Sequence, residues 1–529
     1  MAEYIDHAQS RHPLLLKQRF LQAPTVANSG KHSRLTYGES LDLYSAYGKN
    51  LGGHPISRIT ETWSAKLFYG VGSVAYGVKD NAFQVYLLYY YTLIQEMSAA
   101  LVATALLIAV MIDSITDPLV GQFSDNLRTR IGRRHPLMFA AAIPVALSFF
   151  FLWSPPEGLS ESGLFWYLLL FASLTRIFIT FYEIPGTALV TELTQDYDQR
   201  VSFGSVRYFF GWIGGAGISM FALATFFADS AAFPNGLLNP DAYISYALLG
   251  AGLMFATTLI SAGGTLKYVP HLVQDMSEKI DGLAAMLKNL WSVVTDSVFA
   301  PLFGAAMLTA MGLGVTVSTS LFFYTYFWDF STAQMVTLGL SVLIGAGLAP
   351  VLAPIVTKGK QDKRSAAIRL ALGVTLLGPL PVALRLLGLM PENGSDILLP
   401  ILFVTITTVI AMGVTAEILI HAMVADVVED NELRTGRRSA GVFFAARTFA
   451  AKSTNGLGVL VGALIIGAAG LEKGMSPELA TPDMVATLGY LYVPVLAVIY
   501  GLAAFLIIRF KITRARHEDN LAALNASED

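Results

Sequence analysis

Apolar runs long enough to cross a lipid bilayer recur along this chain and limit its fold more than any other feature. A helix needs about 20 mainly apolar residues to span the hydrocarbon core. Such runs lie at roughly 65–92, 98–122, 136–154, 164–190, 203–228, 242–266, 298–328, 334–356, 366–389, 398–424, 440–469 and 484–508. Only 14% of the 529 residues are charged, well below the share of a soluble domain. The sequence therefore predicts an all-α membrane protein with twelve transmembrane helices. The first, seventh and eleventh runs are long enough to contain a break.

The longest connection between two runs divides them into two groups of six. It covers residues 267–297 and contains HLVQDMSEKIDGLAAMLKNLWSVV, whose spacing predicts an amphipathic surface helix. The basic loops after the second and eighth runs hold corresponding positions, as in transporters built from two related halves. The predicted parts are a polar tail at 1–62, a six-helix bundle at 63–266, the linker 267–297, a second six-helix bundle at 298–510 and a tail at 511–529.

Lys and Arg are concentrated in one of the two alternating sets of loops. The other set contains a single basic residue, Lys473. The basic loops are 123–135, 191–202, 267–297, 357–365 and 425–439. Because basic loops stay in the cytoplasm, we predict a multi-pass plasma (inner) membrane protein with both termini cytoplasmic. Residues 1–62 contain no apolar signal-peptide core, so we expect the first span to direct insertion.

Composition argues against several classes of function. The chain contains no Cys, which excludes disulfides and thiolate metal sites. Its net charge of −3 gives no sign of nucleic-acid binding. We therefore predict no cofactor and no nucleic-acid partner.

Two carboxylates, Asp113 and Asp117, lie in the second apolar run. They are four residues apart and therefore share one face of a helix. A charged residue at the bilayer centre costs about 2.5–3.5 kcal/mol, so both must face the protein interior or water. Adjacent carboxylates repel each other unless a proton or cation lies between them. The pair predicts a cation site, and helix capping before Pro118 is the alternative role for Asp117.

Other polar residues interrupt the remaining runs. The candidates for solute binding are Lys79, Asp80, Glu183, Arg207 and Thr448. An ion pair that locks two helices together is the alternative role for Glu183 and Arg207. Lys452 in the eleventh run is a candidate for the cation site, where it would balance the carboxylates. Glu417 and His421, four residues apart in the tenth run, form a further polar pair with no assigned role.

The loop after the second run carries an acidic residue followed by a cluster of arginines. The motif is Asp125-Asn126-x-Arg128-x-Arg130-x-Gly132-Arg133-Arg134. An acid at a helix end and several Arg side chains can form ion pairs across the interface between the halves, and such pairs would open and close with a gate. The predicted gating residues are Asp125, Arg128, Arg130, Arg133 and Arg134, and ordinary positive-inside topology is the alternative explanation.

Several stretches together resemble one family, the glycoside–pentoside–hexuronide cation symporters of the major facilitator superfamily, which includes the melibiose permease. They are DSITDPLVGQFSDNLRTRIGRRHP, KLFYGVGSVAYG, VYLLYYYT, YEIP, VRYFFGW and MVADVVEDNELRTGRRSAGVFFAARTFAAK. The resemblance runs from about residue 65 to residue 510. It implies the major facilitator fold of two six-helix bundles.

The resemblance also implies roles for individual residues. Its cation-site positions correspond to Asp113, Asp117, Thr180 and Lys452, and its sugar-site positions to Glu183 and Arg207, where Glu replaces the family's Asp. Two positions depart from the family. The sugar-binding Asp of the first span aligns with Gly77, three residues before Asp80, and the Trp that stacks on the sugar ring aligns with Thr187.

We therefore predict a secondary transporter that couples movement of a sugar-like or glycoside-like solute to H⁺ or Na⁺ by alternating access. A carrier of lysophospholipid or another amphipath is the alternative, because the same broad group includes a lysophosphatidylcholine transporter. An intramembrane hydrolase is disfavoured, since the sequence has no metal-ligand cluster and no Gly-x-Ser-x-Gly element. A solute sensor would need a signalling domain, and the tails are too short to supply one. No enzymatic activity is predicted, and no metal other than a transported Na⁺. The expected partners are a small-molecule solute and membrane lipid, and we expect the chain to act as a monomer.

Overall fold

The computed structural model describes residues 60–194, 196–271, 295–358, 362–435, 440–514, 516–520 and 523. Almost all of the predicted N-terminal tail lies outside these residues. So do the predicted amphipathic helix of the linker and the end of the C-terminal tail. Over the described ranges the chain is helical and contains no β-strand, which confirms the predicted all-α class.

Eleven described helices are long and apolar enough to cross a membrane, and each coincides with a predicted run. They are Ala99–Asn126, His135–Leu152, Glu161–Leu193, Gln199–Thr225, Pro240–Leu266, Phe299–Phe327, Thr332–Val356, Lys363–Leu386, Leu398–Thr435, Ala446–Ala468 and Pro482–Arg509. We call these the second to the twelfth span. These eleven helices support the prediction from the sequence that the chain is a multi-pass membrane protein.

The first predicted run is helical but interrupted. Helices Trp63–Val71 and Ser73–Asn81 are separated by Gly72, and the short helix Leu87–Tyr89 lies between π-helical turns at Ala82–Tyr86 and Tyr90–Ile94. We call residues 63–94 the first span. Together with the eleven long helices of the described chain, it gives the predicted number of twelve spans. The seventh span likewise ends in a π-helical turn, whereas the eleventh is a continuous α-helix. Two of the three long runs therefore contain an irregularity, and the third does not.

The first six spans pack mainly against one another, as do the last six; we call these groups the N-terminal and C-terminal halves. Glycine allows two equivalent pairs of spans to approach closely, as is common between membrane helices. Between the first and fifth spans, a Cβ atom on Gly77 would lie 2.1 Å from the carbonyl oxygen of Gly211. Between the seventh and eleventh, a Cβ atom on Gly458 would lie 2.1 Å from the carbonyl oxygen of Met311. The two halves thus share a packing feature, and in the N-terminal half it places Arg207 beside the first span.

The halves are bonded to each other at the end that carries the loops poor in Lys and Arg, which we call the acidic end. Two of the bonds join backbone N–H groups to carboxylates: Ala99 donates to Glu472 at 2.9 Å and Thr332 donates to Asp229 at 3.1 Å.

Two contacts between uncharged groups also join the halves at this end. The Tyr89 and Thr325 hydroxyls are 3.1 Å apart, and the N–H of Gly474 donates to the carbonyl of Thr92 at 3.2 Å. The acidic end is therefore closed.

At the opposite end, the basic end, every ion pair among the described residues lies within one half. In the C-terminal half, Lys363 pairs with Asp426 and Arg434 pairs with Asp296, both at 2.7 Å. Burial opposes ionisation of Asp296, but hydrogen bonds from Arg434 and from two backbone N–H groups hold the pKa of its carboxyl below the usual range. Each half thus keeps its own charge network at this end.

Candidate functional site

The second span carries Asp113 and Asp117 on one face, opposite the hydroxyl of Thr180 on the fourth span. Asp113 is 2% exposed, and the Thr180 Oγ1 atom lies 3.0 Å from one oxygen of each carboxylate. A hydroxyl has one proton to donate. One of these two contacts therefore lacks a hydrogen unless a carboxyl group is protonated or both contacts share the same proton. The Thr180 hydroxyl therefore links the two carboxylates in one polar cluster.

The C-terminal half reaches this carboxylate pair through Lys452 of the eleventh span. Its Nζ atom lies 2.6 Å from Asp117 and 3.6 Å from Asp113. In the described part of the chain, these are the contacts in which charged side chains of the two halves pair. The four residues predicted for a cation site are thus brought together by three spans from both halves.

A second cation, Arg176, lies in the same cluster and was not among the predicted site residues. Its Nη1 atom donates to Asp113 at 3.2 Å, and its guanidinium carbon lies 4.6 Å from the centre of the Phe83 ring. Arg176 is one helical turn before Thr180 in the apolar run 164–190. The charge of Arg176 within this apolar run was the sequence signal that could have identified it, because a charged side chain in a membrane span must face the protein interior or water.

Glu183 and Arg207 face each other near this cluster without a hydrogen bond. Their closest atoms are 4.0 Å apart, and both side chains are about one-fifth exposed. The Arg207 guanidinium also lies 5.9 Å from the centre of the Tyr69 ring. An acid and an Arg at this separation leave their hydrogen-bonding groups available to a polar solute.

The remaining solute-binding candidates have different surroundings. Lys79 is 3% exposed and pairs with the adjacent Asp80 at 2.6 Å, so each neutralises the other. Thr448 is exposed, one turn before Lys452. The close contact between Gly77 and the backbone of Gly211 leaves no room for any side chain at position 77. An Asp at this position, where the resemblance to the family places one, would clash with that backbone.

The polar pair in the tenth span belongs to a separate cluster in the C-terminal half. Arg447 of the eleventh span forms an ion pair with Glu417, and its Nη1 atom lies 3.1 Å from the His421 ring. Arg447 was not predicted, although it interrupts the apolar stretch FFAARTFAAK. The Glu417–Arg447 pair joins the tenth and eleventh spans.

The predicted gating residues make their described contacts inside the N-terminal half. Arg134 lies 2.6 Å from Asp125 and 2.9 Å from Glu192, and Arg133 lies 2.7 Å from Glu192. These pairs therefore do not cross the interface between the halves in this conformation, and the gating role of the residues stays a prediction. They join the second span, the loop after it and the end of the fourth span. Arg128 and Arg130, the other two predicted gating residues, are exposed and form no ion pair with any described residue.

These features define a class: an all-helical multi-pass membrane protein of two halves that share a buried charged site. The family model described as MFS/sugar transport protein matches residues 68–514. The chain belongs to that family, and it is a transporter of the major facilitator superfamily. A crystal structure of a mutant of the nucleoside transporter NupG has a similar fold, with a TM-score of 0.57 over 84% of this chain and 100% of that one at 14% identity.

Curated relatives match most of the chain. The isoprimeverose transporter of Lactiplantibacillus pentosus is 25% identical, covering 85% of this chain and 89% of the relative. YagG of Escherichia coli strain K12, which carries the provisional name of a glycoside/cation symporter, is 24% identical over 86% and 94% of the two chains. The sphingosine-1-phosphate transporter MFSD2B of Mus musculus is 24% identical over 84% and 88%.

Proposed function

We propose that the protein is a symporter that moves a glycoside-like solute together with H⁺ or Na⁺. The contact between Lys452 and the carboxylate pair carries this proposal, because it is a charged link between the halves at a candidate cation site. The names of the isoprimeverose transporter and of YagG agree with a glycoside solute and a cation partner.

Charge balance explains how a cation would be coupled to movement. In the present arrangement Asp113 and Asp117 are balanced by Arg176 and Lys452. A cation or proton that binds Asp117 replaces Lys452 as its partner and weakens the link between the halves. A ligand that binds one arrangement more tightly shifts the population toward it. In this mechanism cation binding favours reorientation of the halves.

Glu183 and Arg207 are the proposed solute ligands. Their charged groups hydrogen-bond hydroxyl groups from two sides, and such bonds are stronger than those between neutral groups. Both residues lie in the N-terminal half, in the fourth and fifth spans, and Glu183 is three residues after Thr180. Solute and cation sites therefore share the fourth span, so the binding of one ligand changes the position of groups that bind the other.

The described conformation corresponds to one state of alternating access. The acidic end is closed by hydrogen bonds between the halves, and the basic end has separate charge networks. With the basic loops in the cytoplasm, as the positive-inside rule predicts, this state faces inward. The same rule assigns both termini to the cytoplasm.

Uptake by purified protein in liposomes tests the cation role. Asp113→Asn and Asp117→Asn each remove one negative charge with little change of shape, and we expect accumulation against a gradient to fall to background. Exchange of solute across the membrane should persist, because Glu183 and Arg207 are intact. Glu183→Gln is the contrasting variant, and it should lose exchange as well as accumulation. Full accumulation by Asp117→Asn would overturn the proposal.

A ligand panel tests the solute class. Thermal unfolding is measured with monosaccharides, glycosides, glucuronides and lysolipids, each in NaCl and in choline chloride at two pH values. A ligand at 100 times its Kd adds about 2.7 kcal/mol of stability. We expect stabilisation by a glycoside. Stabilisation by lysolipids alone would favour an amphipath carrier, the candidate that the similarity to MFSD2B supports, and would remove Glu183 and Arg207 as sugar ligands.

A further inference from the structure

We propose that Arg176 selects the coupling ion, so that this transporter uses H⁺ and excludes Na⁺. The inference rests on the proposed symport function and assigns its ion. It begins from the observation that the carboxylate pair is already in contact with two cations of the chain itself.

Every oxygen of the carboxylate pair has a partner. Thr180 contacts Oδ1 of both Asp113 and Asp117. The Oδ2 atom of Asp113 faces Arg176 at 3.2 Å and Lys452 at 3.6 Å, and the Oδ2 atom of Asp117 faces Lys452 at 2.6 Å. Hard metal cations are held by several oxygen ligands at once, whereas a proton needs one. A Na⁺ ion would have to displace more than one of these partners.

The two cations differ in how easily they can leave. Lys452 belongs to the other half and its side chain is 27% exposed, so its contact breaks when the halves move apart. Arg176 belongs to the same half as Asp113, and the two side chains are 12% and 3% exposed. Its guanidinium packs over the Phe83 ring and stays charged at every physiological pH. Arg176 therefore remains bonded to Asp113 after Lys452 has left.

The departure of Lys452 leaves one carboxylate without a charged partner. Asp113 is neutralised by Arg176, and Asp117 keeps only the Thr180 hydroxyl. A single carboxylate with one hydroxyl binds a proton by forming one O–H bond, but it is a poor cage for Na⁺. The guanidinium also occupies the Oδ2 atom of Asp113, which a metal cation bridging both carboxylates would need. Asp117 is therefore the proton site, and Arg176 is the residue that determines specificity.

The test compares Na⁺ and choline in thermal unfolding of the purified full chain, without any solute. We expect the wild-type protein to unfold at the same temperature in NaCl and choline chloride of equal concentration. Arg176→Met should vacate the oxygens of Asp113 and raise the unfolding temperature by a few degrees in NaCl alone. The added substitution Asp117→Asn should abolish that increase.

Two further variants keep the test decisive. Arg176→Gln removes the charge and keeps some hydrogen bonding, and it replaces Arg176→Met if that variant does not fold. Arg176→Lys keeps the positive charge and should remain insensitive to Na⁺. A saturable stabilisation of the wild-type protein by Na⁺ would overturn the inference. So would a folded Arg176→Met or Arg176→Gln variant that gains no response to Na⁺.

These outcomes are separate from failure of the symport proposal. Symport fails if Asp117→Asn still accumulates solute, whichever ion stabilises the protein. If wild-type protein responds to Na⁺ and Asp117→Asn cannot accumulate solute, symport stands and Arg176 does not select the ion.

Discussion

The two ends of the molecule use their charged residues differently. At the acidic end, carboxylates of one half bind backbone N–H groups of the other: Glu472 binds Ala99, and Asp229 binds Thr332. At the basic end, charged side chains bind partners in their own half, as Arg134 does with Glu192. Contacts of the first kind are broken when the halves separate. Contacts of the second kind make each half rigid and survive the movement.

The contacts at the acidic end are related by the internal repeat. Ala99 begins the second span and Thr332 begins the eighth, which are equivalent positions in the two halves. The first N–H groups of a helix have no partner within the helix, and the helix dipole favours a negative charge there. Glu472 follows the eleventh span and Asp229 follows the fifth, which are again equivalent positions. Each half therefore caps the second helix of the other.

The largest effect should come from making the acidic-end contacts permanent. The chain contains no Cys, so Asp229→Cys with Thr332→Cys introduces one defined pair at a site where the two residues exchange hydrogen bonds. Oxidation should form a disulfide and reduce uptake to background, and a reducing agent should restore uptake. The two single-Cys variants are the controls. Undiminished uptake by fully cross-linked protein would show that this end does not open.

The next largest effect is expected from breaking a charge network at the basic end, which should lower the stability of the folded protein. Arg134 and Glu192 are 5% and 4% exposed, and loss of one partner from a buried ion pair costs about 3–5 kcal/mol. We expect Arg134→Ala to lower the unfolding temperature of the detergent-solubilised protein markedly. A change comparable to that of an exposed Arg variant would contradict the assignment of this pair as a rigid link within the half.

Weakening one cap at the acidic end should have a moderate effect on conformation. A hydrogen bond to a charged group contributes about 1.5–3 kcal/mol and an exposed charge at a helix N-terminus about 0.3–1 kcal/mol. Glu472→Ala should therefore raise the population open at the acidic end by about tenfold or more. The measurement is the rate at which a membrane-impermeant thiol reagent labels Thr325→Cys, which lies between the halves and is 3% exposed.

The exposed residue Glu478 supplies the matched control for this variant, because it lies in the same loop. Glu478→Ala should leave the labelling rate unchanged. Equal rates for Glu472→Ala and Glu478→Ala would mean that the cap does not hold the acidic end closed.

The smallest effect is expected at Arg128 and Arg130. Both are exposed, and surface substitutions usually change stability by less than about 0.5 kcal/mol. Arg128→Ala and Arg130→Ala should therefore unfold at the wild-type temperature, in contrast to Arg134→Ala. A large loss of stability in either variant would show that the charge network at the basic end is wider than its described pairs.

The sequence predicts the positions of the spans well because lipid demands long apolar runs. It underestimates the length of helices that continue beyond the membrane into polar residues. The tenth run was predicted at 398–424, but the helix is Leu398–Thr435. Its polar end is stabilised by ion pairs such as Asp430 with Arg434, four residues apart. Hydropathy detects the part of a helix in the membrane and not the whole helix.

The site was predictable in part. Asp113, Asp117 and Lys452 stand out because charges in apolar runs are costly. Arg176 has the same property, but its partner depends on how the fourth span is rotated against the second, which the spacing along one helix does not determine. The caps at the acidic end were missed because their donors are backbone N–H groups, which carry no sequence signal. Likewise, the partners of Arg134 in this conformation lie in its own half, and spacing alone does not give the partner of a loop residue.

Distances between spin labels at the two ends test alternating access most directly. Cysteines replace the exposed residues Glu157 and Glu392 at the acidic end and, in a second variant, Arg130 and Lys358 at the basic end. Each pair spans the two halves, and distances are measured by pulsed electron paramagnetic resonance with and without the stabilising solute. We predict opposite changes: as the acidic-end distance increases, the basic-end distance decreases. Changes of the same sign at both ends, or no change at either end, would contradict a cycle in which the two halves open one end and close the other.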